Sequence, residues 1–363
     1  MRNLFKKIKI VTIVGARPQF IKAAAFSNSI KSYDSIDEVI IHTGQHFDQN
    51  MSKIFFDQLL IPKPDYQLKS GGKSHGAMTA YQLIEIEKIL EIEKPNYVVL
   101  YGDTNSTLSG ALAASKLNIP IVHIEAGLRS YNMRMPEEIN RILTDRLSKF
   151  LFCPSHNAKK NLIKEGYKNF NSKIYVVGDI MLDASKLFIE NLKTERPFDE
   201  PYLVCTIHRQ ENTEIINRLK EIIEGLNEIA KEIRIVFPIH PRTKKTISNM
   251  KISLHDNIFT TKPMPYIDFF RYIKNCELVI TDSGGLQKEA YFMNKNCIIA
   301  REETEWTELT ENKNNILVGC KKQKIINAFY NSNGFNKDFS KSFYGSGNTA
   351  NLIIQKLINA EIK

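Results

Sequence analysis

The sequence predicts an α/β chain of two Rossmann-like domains facing a cleft, with a C-terminal helix that crosses back to the first domain. Three observations predict it. Apolar, β-branched stretches of strand length alternate with helix-like stretches from one end to the other. Polar turns, several bearing glycine, follow the strand-like stretches directly. The alternation breaks once, between Ala184 and Pro201, where Glu195-Arg196-Pro197-Phe198 and Glu200-Pro201 interrupt it. Single strands alternating with helices imply parallel sheets with right-handed crossovers. A chain of 363 residues is also too long for one compact core.

The elements follow in order. Met1–Lys9 is cationic, and the apolar piece Ile10–Val14 is too short for a signal-peptide core; it leads into Gly15-Ala16-Arg17-Pro18 rather than a cleavage site. It therefore reads as a first strand, Ile8–Val14, followed by a helix over Phe20–Ser32. Glu38–Thr43 is a strand and Gln49–Leu60 a helix. His75–Glu93 is a long helix, with Leu83, Ile86 and Leu90 at helical spacing. Tyr97–Tyr101, a small-residue helix over Leu108–Leu117, Ile119–Ile124 and a helix from Pro136 to Ser148 come next. Phe150–Cys153 and Ile174–Val177 complete the first half.

The second half has strands at Tyr202–Thr206, Arg234–Pro238, Ile258–Thr260, Leu278–Thr281 and Cys297–Ile299. Its helices lie near Glu214–Lys231, Tyr266–Lys274 and Leu286–Met293. An amphipathic helix over Thr349–Ile362 packs back on the first half. The domains are thus expected at 1–185 and 186–348, with 349–363 as the returning helix.

Composition narrows the function. Apolar residues make up 42% and charged residues 25%, as in ordinary globular proteins. No apolar run approaches the ~20 residues needed to span a bilayer, so no membrane insertion is expected. The five cysteines are odd in number and lack metal-knuckle spacing, which suits free thiols in a reducing cytoplasm. The net charge of +10 comes from scattered lysines, without the basic, aromatic-interleaved patches of nucleic-acid binders. No metal site is expected either: His42 and His46 flank a Gly-Gln turn, and no His-Glu-x-x-His occurs.

The turns after the strands carry the chemistry. Tyr101-Gly102-Asp103-Thr104 and His123-Ile124-Glu125-Ala126-Gly127 each follow a strand. Ligands of open parallel sheets sit outside the carboxyl ends of the strands. Asp103 and Glu125 are therefore expected in one crevice, where two carboxylates suggest proton transfer. Glu137 and Glu138, in the first turn of the next helix, suit the helix dipole, and only closeness to Glu125 raises Glu137 as a third carboxylate. Gly15-Ala16-Arg17-Pro18-Gln19 joins a strand to a helix; Arg17 and Lys22 there suggest an anion site. The absence of Gly-x-Gly-x-x-Gly argues against a dinucleotide cofactor, and none is expected.

In the second half, Thr281-Asp282-Ser283-Gly284-Gly285 leads into a helix. Ser283 can cap it, Gly284 and Gly285 admit a close phosphate, and Glu289, one turn on, suits a ribose diol. His208 and His240 end two strands, and His208 suits a leaving phosphate near neutral pH.

Together these runs resemble the non-hydrolysing UDP-N-acetylglucosamine 2-epimerases. The resemblance spans nearly the whole chain, through Gly15-Ala16-Arg17-Pro18, Gly44-Gln45-His46, Tyr101-Gly102-Asp103-Thr104, Glu125-Ala126-Gly127-Leu128-Arg129, Pro136-Glu137-Glu138, His208-Arg209, Thr281-Asp282-Ser283-Gly284-Gly285 and Tyr344-Gly345-Ser346-Gly347. It implies a glycosyltransferase-B-like fold, a cytoplasmic homodimer, no cofactor, and a role in surface polysaccharide synthesis. It implies epimerisation at C2 of a UDP-2-acetamido sugar through elimination and re-addition of UDP. By resemblance Asp103, Glu125 and Glu137 are the acid–base set and His208 assists the diphosphate. Arg17, Lys22, Arg129, Arg134, His240, Ser283, Gly284, Gly285, Glu289 and Arg301 bind the UDP-sugar.

Three departures look like the branch acting on UDP-2,3-diacetamido-2,3-dideoxyglucuronate: Thr304-Glu305-Trp306-Thr307-Glu308, the short loop Ser130–Arg134, and Ala16 and Gln19 in the first turn. An anionic sugar would suit Arg134, and the choice between this sugar and UDP-N-acetylglucosamine stays open. A UDP-sugar glycosyltransferase would not need three carboxylates in the first domain. A hydrolysing epimerase usually has Gly-Thr-Arg-Ala-Asp, which is absent, and a UDP-sugar sensor should have lost an acid–base residue.

Overall fold

Strands this apolar must be covered by helices. The computed structural model describes residues 7–45, 62–190 and 196–361, and in it two parallel sheets are interleaved with helices. The chain divides into two units, Met1–Leu187 with Phe343–Lys363, and Phe188–Ser342.

The first unit contains β1 (Ile8–Val14), α1 (Arg17–Ile30), β2 (Ile36–His42), β3 (Tyr66–Gln67), α2 (His75–Glu93), β4 (Tyr97–Tyr101), α3 (Asn105–Lys116), β5 (Ile121–Ile124) and α4 (Pro136–Leu147). It continues with β6 (Phe150–Cys153), α5 (His156–Lys164), β7 (Lys173–Val176) and α6 (Ile180–Glu190), whose residues from Phe188 on group with the second unit. The sheet order is β3-β2-β1-β4-β5-β6-β7. The chain winds from β1 out to β3, then restarts at β4 on the other side of β1. Two turns therefore diverge beyond β1 and β4, the switch point where open α/β sheets bind ligands. Register sets Thr12 beside Val99 and Tyr101 beside Ile124, so the ends of β4 and β5 lie level. The core under this edge joins Val11, Ile13, Val98 and Leu100 to Ile86 and Leu90 of α2 and the alanines of α3.

The second unit contains β8 (Tyr202–Thr206), α7 (Gln210–Thr213), α8 (Ile216–Ile229), β9 (Arg234–Pro238), α9 (Pro241–Asn249), β10 (Ile258–Thr261), α10 (Tyr266–Asn275), β11 (Leu278–Thr281) and α11 (Gly284–Phe292). After these come β12 (Cys297–Ile299), α12 (Thr307–Glu311), β13 (Asn315–Leu317) and α13 (Lys322–Tyr330). The order β10-β9-β8-β11-β12-β13 puts a second switch point between β8 and β11. Leu219, Ile222, Leu226 and Ile229 of α8 pack into the core beneath it.

The structure departs from the expected elements in several places. The expected linker starts too early: Ile180, Met181, Ala184 and Phe188 are buried at helical spacing, so α6 runs through Glu190. The helix expected from Leu108 starts at Asn105, because the Thr104 hydroxyl accepts a hydrogen bond from Thr107 N (3.3 Å) and caps it. Helices α5, α9 and α13 and strand β13 were not expected. Of these, α5 and α9 are largely polar and bury only two side chains each, which leaves little apolar periodicity to read. The expected helix Gln49–Leu60 lies outside the described residues. Among the described residues no helix is long and apolar enough to cross a membrane. The five cysteines are free and buried.

The last helix, α14 (Thr349–Glu361), belongs to the first unit and packs on α1. Residues 343–348, expected with the second domain, also group with the first. Asp179 N donates to Tyr344 O (2.9 Å), and Ala350 N donates to Asp183 Oδ2 (2.8 Å). The two backbones meet at Gly178 and Gly345, both with positive φ. A Cβ on Gly178 would lie 2.6 Å from Tyr344 O, and the residue sits at φ +92°. Gly178→Ala should therefore cost about 2–4 kcal/mol of stability, measured as a lowered urea midpoint of the full chain.

Candidate active site

Three turns leave the carboxyl ends of β1, β4 and β5 at the first switch point. Lys22, in the second turn of α1, points back to the β5 turn, where Nζ donates to Glu125 Oε2. Both side chains are over nine-tenths buried, so each charge is tolerable mainly because the other is there. Glu125 sits at φ +74°, unusual for a residue with a side chain. Its N–H and that of Ala126 both donate to Phe152 O (3.1 Å), which holds the turn. Gly102, at the end of β4, borders the pair. A Cβ there would lie 3.2 Å from Glu125 Oε2 and 3.3 Å from Lys22 Nζ.

Asp103 follows directly. Its Oδ2 accepts from Arg141 Nε (3.0 Å) and Nη2 (2.6 Å), and its side chain stays 31% exposed. Asn140 Nδ2 donates to Asp103 O (2.9 Å). The structure thus brings Lys22, Gly102, Asp103 and Glu125 together and adds Arg141. Arg141 stands one helical turn after Glu137, and that spacing is the signal in the sequence that could have found it.

Glu137 is exposed in the first turn of α4, while Glu138, beside it in sequence, is buried. Glu138 accepts from Ser130 N (3.0 Å), Tyr131 N (2.9 Å) and Arg141 Nη1 (2.7 Å) and so shapes the loop before α4. Arg134 is exposed in that loop.

Two first-unit expectations are corrected. Arg129 is not available to a ligand: Nε and Nη2 bind Glu165 (2.7 and 2.8 Å), and Nη1 binds Leu128 O (2.7 Å) and Asp145 Oδ2 (2.8 Å). The turn Gly15–Ala16 is not an open anion cradle either. Gln19 Oε1 accepts both N–H groups (2.9 and 3.1 Å), and its amide nitrogen ties the turn to Tyr101 O and Thr107 Oγ1 (both 2.9 Å). Lys22 meets a carboxylate instead of an open anion site. The side chain of Arg17 and all of His46 lie outside the described residues.

In the second unit the turns after β8 and β11 meet over Asp282. This side chain is fully buried and accepts from His208 N (3.1 Å), Arg209 N (3.0 Å) and Asn212 Nδ2 (3.1 Å). His208 Nδ1 lies 3.4 Å from Asp282 Oδ1, and the ring is 46% exposed. Asp282 therefore holds the His208 turn, a role that its place in the turn Thr281–Gly285 does not announce. Ser283 caps α11, its Oγ accepting from Leu286 N (3.4 Å). A Cβ on Gly284 would lie 3.5 Å from Arg209 Nη2 and 3.6 Å from Glu305 Oε2, and one on Gly285 would meet nothing within 4 Å, so the start of α11 has an Arg–Glu pair on one side and open space on the other. Glu289 is nearly buried and accepts from the Tyr266 hydroxyl (2.8 Å), a partner in α10 that local sequence could not reveal.

Arg301 is a further correction. It is 1% exposed, and Glu305 takes both Nη atoms (2.9 and 3.0 Å), so it braces the turn after β12 rather than reaching a ligand. His240 is exposed and caps α9 by accepting from Arg242 N through Nδ1 (3.2 Å). Among the described residues no group of three or more His, Cys, Asp or Glu could hold a metal ion.

These features define a class: a two-unit α/β enzyme with carboxylates at one switch point and a histidine turn with an open helix start at the other. The chain belongs to the UDP-N-acetylglucosamine 2-epimerase family, whose sequence profile matches residues 28–358. It is 47% identical over 353 residues to the UDP-2,3-diacetamido-2,3-dideoxy-D-glucuronate 2-epimerase of Pseudomonas aeruginosa, covering 96% of this chain and 99% of that one. It is 44% identical to a UDP-N-acetylglucosamine 2-epimerase of Methanocaldococcus jannaschii, over 88% of this chain and 91% of the other. The crystal structure of the M. jannaschii UDP-GlcNAc 2-epimerase in complex with UDP-GlcNAc and UDP superimposes with a TM-score of 0.89 at 41% identity, covering 97% of this chain and all of that one. The fold is glycosyltransferase-B-like.

Although His240 is exposed, partial desolvation of its ring lowers its pKa from the ordinary value, and the nearby His208 and Arg242 add to the effect. His208→Gln should therefore raise the His240 midpoint in an NMR titration of the ring C–H signals, while Arg209→Gln should leave it nearly unchanged.

Proposed function

We propose that this chain inverts C2 of a UDP-2-acetamido sugar by eliminating and re-adding UDP. The observation that carries the reading is the cluster of Glu125, Lys22 and Asp103 at the first switch point. One carboxylate removes the C2 proton as the C1–O bond to UDP breaks, leaving a C1–C2 double bond. UDP then adds back to C1, and C2 takes a proton on the opposite face. Asp103, Glu125 and Glu137 are the acid–base set. Lys22 is salt-bridged to Glu125 and holds its carboxylate at the turn, placed to exchange a proton with C2. Arg141 holds the Asp103 carboxylate in place through Nε and Nη2.

On the nucleotide side, His208, aimed by Asp282, stabilises the departing diphosphate. The start of α11 at Ser283–Gly285 receives its charge, and Glu289 takes the ribose hydroxyls. This division of labour is supported by the geometry within each unit and by the epimerases at 44–47% identity.

The sugar is assigned by one experiment with two arms. The protein is incubated in deuterated water with UDP-N-acetylglucosamine and, separately, with UDP-2,3-diacetamido-2,3-dideoxyglucuronate. Deuterium at C2 with UDP still attached is expected in at least one arm; free UDP with free sugar in both would mean hydrolysis instead. Asp103→Asn should reduce exchange by at least about 10²-fold while UDP binding, measured by calorimetry, holds. If the uronate is the substrate, Arg134→Ala should lower its kcat/KM about tenfold, because an exposed cation facing the C5 carboxylate contributes roughly 1 kcal/mol.

We further propose a homodimer. Ile139, Leu143 and Leu147 form an exposed apolar stripe on α4 at 39%, 43% and 37% exposure, and Ile84 and Ile92 are exposed on α2. Leu143→Glu should convert a dimer to a monomer in sedimentation velocity; an unchanged dimer would place the interface elsewhere.

A further inference from the structure

His123 lies on β5, wholly buried, two residues before Glu125. Its Nδ1 is 2.7 Å from Asp145 Oδ1 and its Nε2 is 2.8 Å from Gly102 O. A carbonyl oxygen and an ionised carboxylate only accept, so each ring nitrogen faces an acceptor. Asp145, on α4, is likewise fully buried. Its second oxygen accepts from Gly127 N (3.1 Å) and Arg129 Nη1 (2.8 Å). Burial alone would raise the Asp145 pKa, but the charges of His123 and Arg129 outweigh it and hold the carboxyl below its usual range.

The other groups facing this pair complete the picture. Glu165 closes the far side of Arg129. The Cys153 thiol on β6 and the Tyr167 hydroxyl both feel Asp145 and are kept neutral by burial. Toward the site, the next groups are Gly102 and, against it, Lys22 with Glu125.

We infer that His123 and Asp145 form a buried imidazolium–carboxylate pair that positions both reactive turns of the first unit. One carboxylate reaches each turn. Through His123 it fixes the carbonyl of Gly102, the residue before Asp103. Through Gly127 N it fixes the left-handed turn that begins at Glu125. The pair touches no substrate, so both are positioning residues. The inference rests on the epimerase reading for its kinetic part and on geometry alone for its protonation part.

Two measurements test it on the full chain. With 15N-labelled histidine, both ring nitrogens of His123 should read as protonated at neutral pH, and Asp145→Asn should convert the ring to a neutral tautomer. A neutral ring in the unaltered protein would overturn the proposal. In the C2 exchange assay, His123→Gln keeps a donor near Gly102 but removes the charge. It should lower kcat about 10²-fold with KM within threefold, as expected for a sub-ångström misplacement of reacting groups. Loss of the cation should also raise the carboxylate pKa values and move the acid limb of the kcat–pH profile upward. A merely structural role would lower thermal stability without moving that limb, and would sink the positioning claim. Should Asp145→Asn fail to fold, His123→Gln and the unaltered protein still decide the question. If no exchange occurs with either sugar, the epimerase reading falls, and the ring nitrogens alone judge the pair.

Discussion

Asp282 is completely buried, and its charge is tolerable only because every approach to it is filled by a donor. Two backbone N–H groups and the Asn212 amide donate to it, and the His208 ring lies 3.4 Å away. Asp145 plays the same part in the first unit, filled by His123, Arg129 and Gly127 N. An unpaired buried carboxylate would cost several kcal/mol, so the donors cannot drift away without a large penalty. That is why turns that follow strand ends, ordinarily the softest parts of an α/β fold, are held in one conformation here. Each anion converts desolvation into positional constraint on a functional turn.

The parallel sheets supply the other half of the constraint. Because order reverses at β1/β4 and at β8/β11, two neighbouring turns diverge at each place and leave an opening. Gly102 is needed at the first opening because any side chain would press on Glu125 and Lys22. Glu125 has left-handed backbone too, like Gly102 before it. Its φ of +74° points the carboxylate at Lys22, and the doubled hydrogen bond to Phe152 O holds that conformation.

Several residues singled out by type turn out to serve each other rather than a ligand. Arg129 and Arg301 are cations near strand ends, which is what a phosphate site needs, yet each is buried against glutamate. Gln19 fills the Gly15–Ala16 amides that a strand–turn–helix motif would leave open. Residue type alone cannot distinguish these cases: Glu165 reaches Arg129 from 36 residues away, while Glu305 reaches Arg301 across its own turn. Similarly, Glu137 and Glu138 are equivalent on paper; one step around the helix makes one solvent-facing and the other a buried clasp for Arg141 and the Ser130–Tyr131 backbone.

By itself the sequence determined the fold class and the placement of the chemistry at strand ends. Strand–helix alternation is a local signal, and apolar β-branched runs such as Ile8–Val14 and Leu278–Thr281 cannot be satisfied except as buried parallel strands. It also singled out Asp103, Glu125 and His208, since each stands in a polar turn directly after such a run. Only the tertiary structure decided which charges pair: Lys22 with Glu125, Arg141 with Asp103, His123 with Asp145. These partners are separated by 22 to 103 residues. Electrostatic energy depends on distance in space and on burial, and neither is encoded in local spacing.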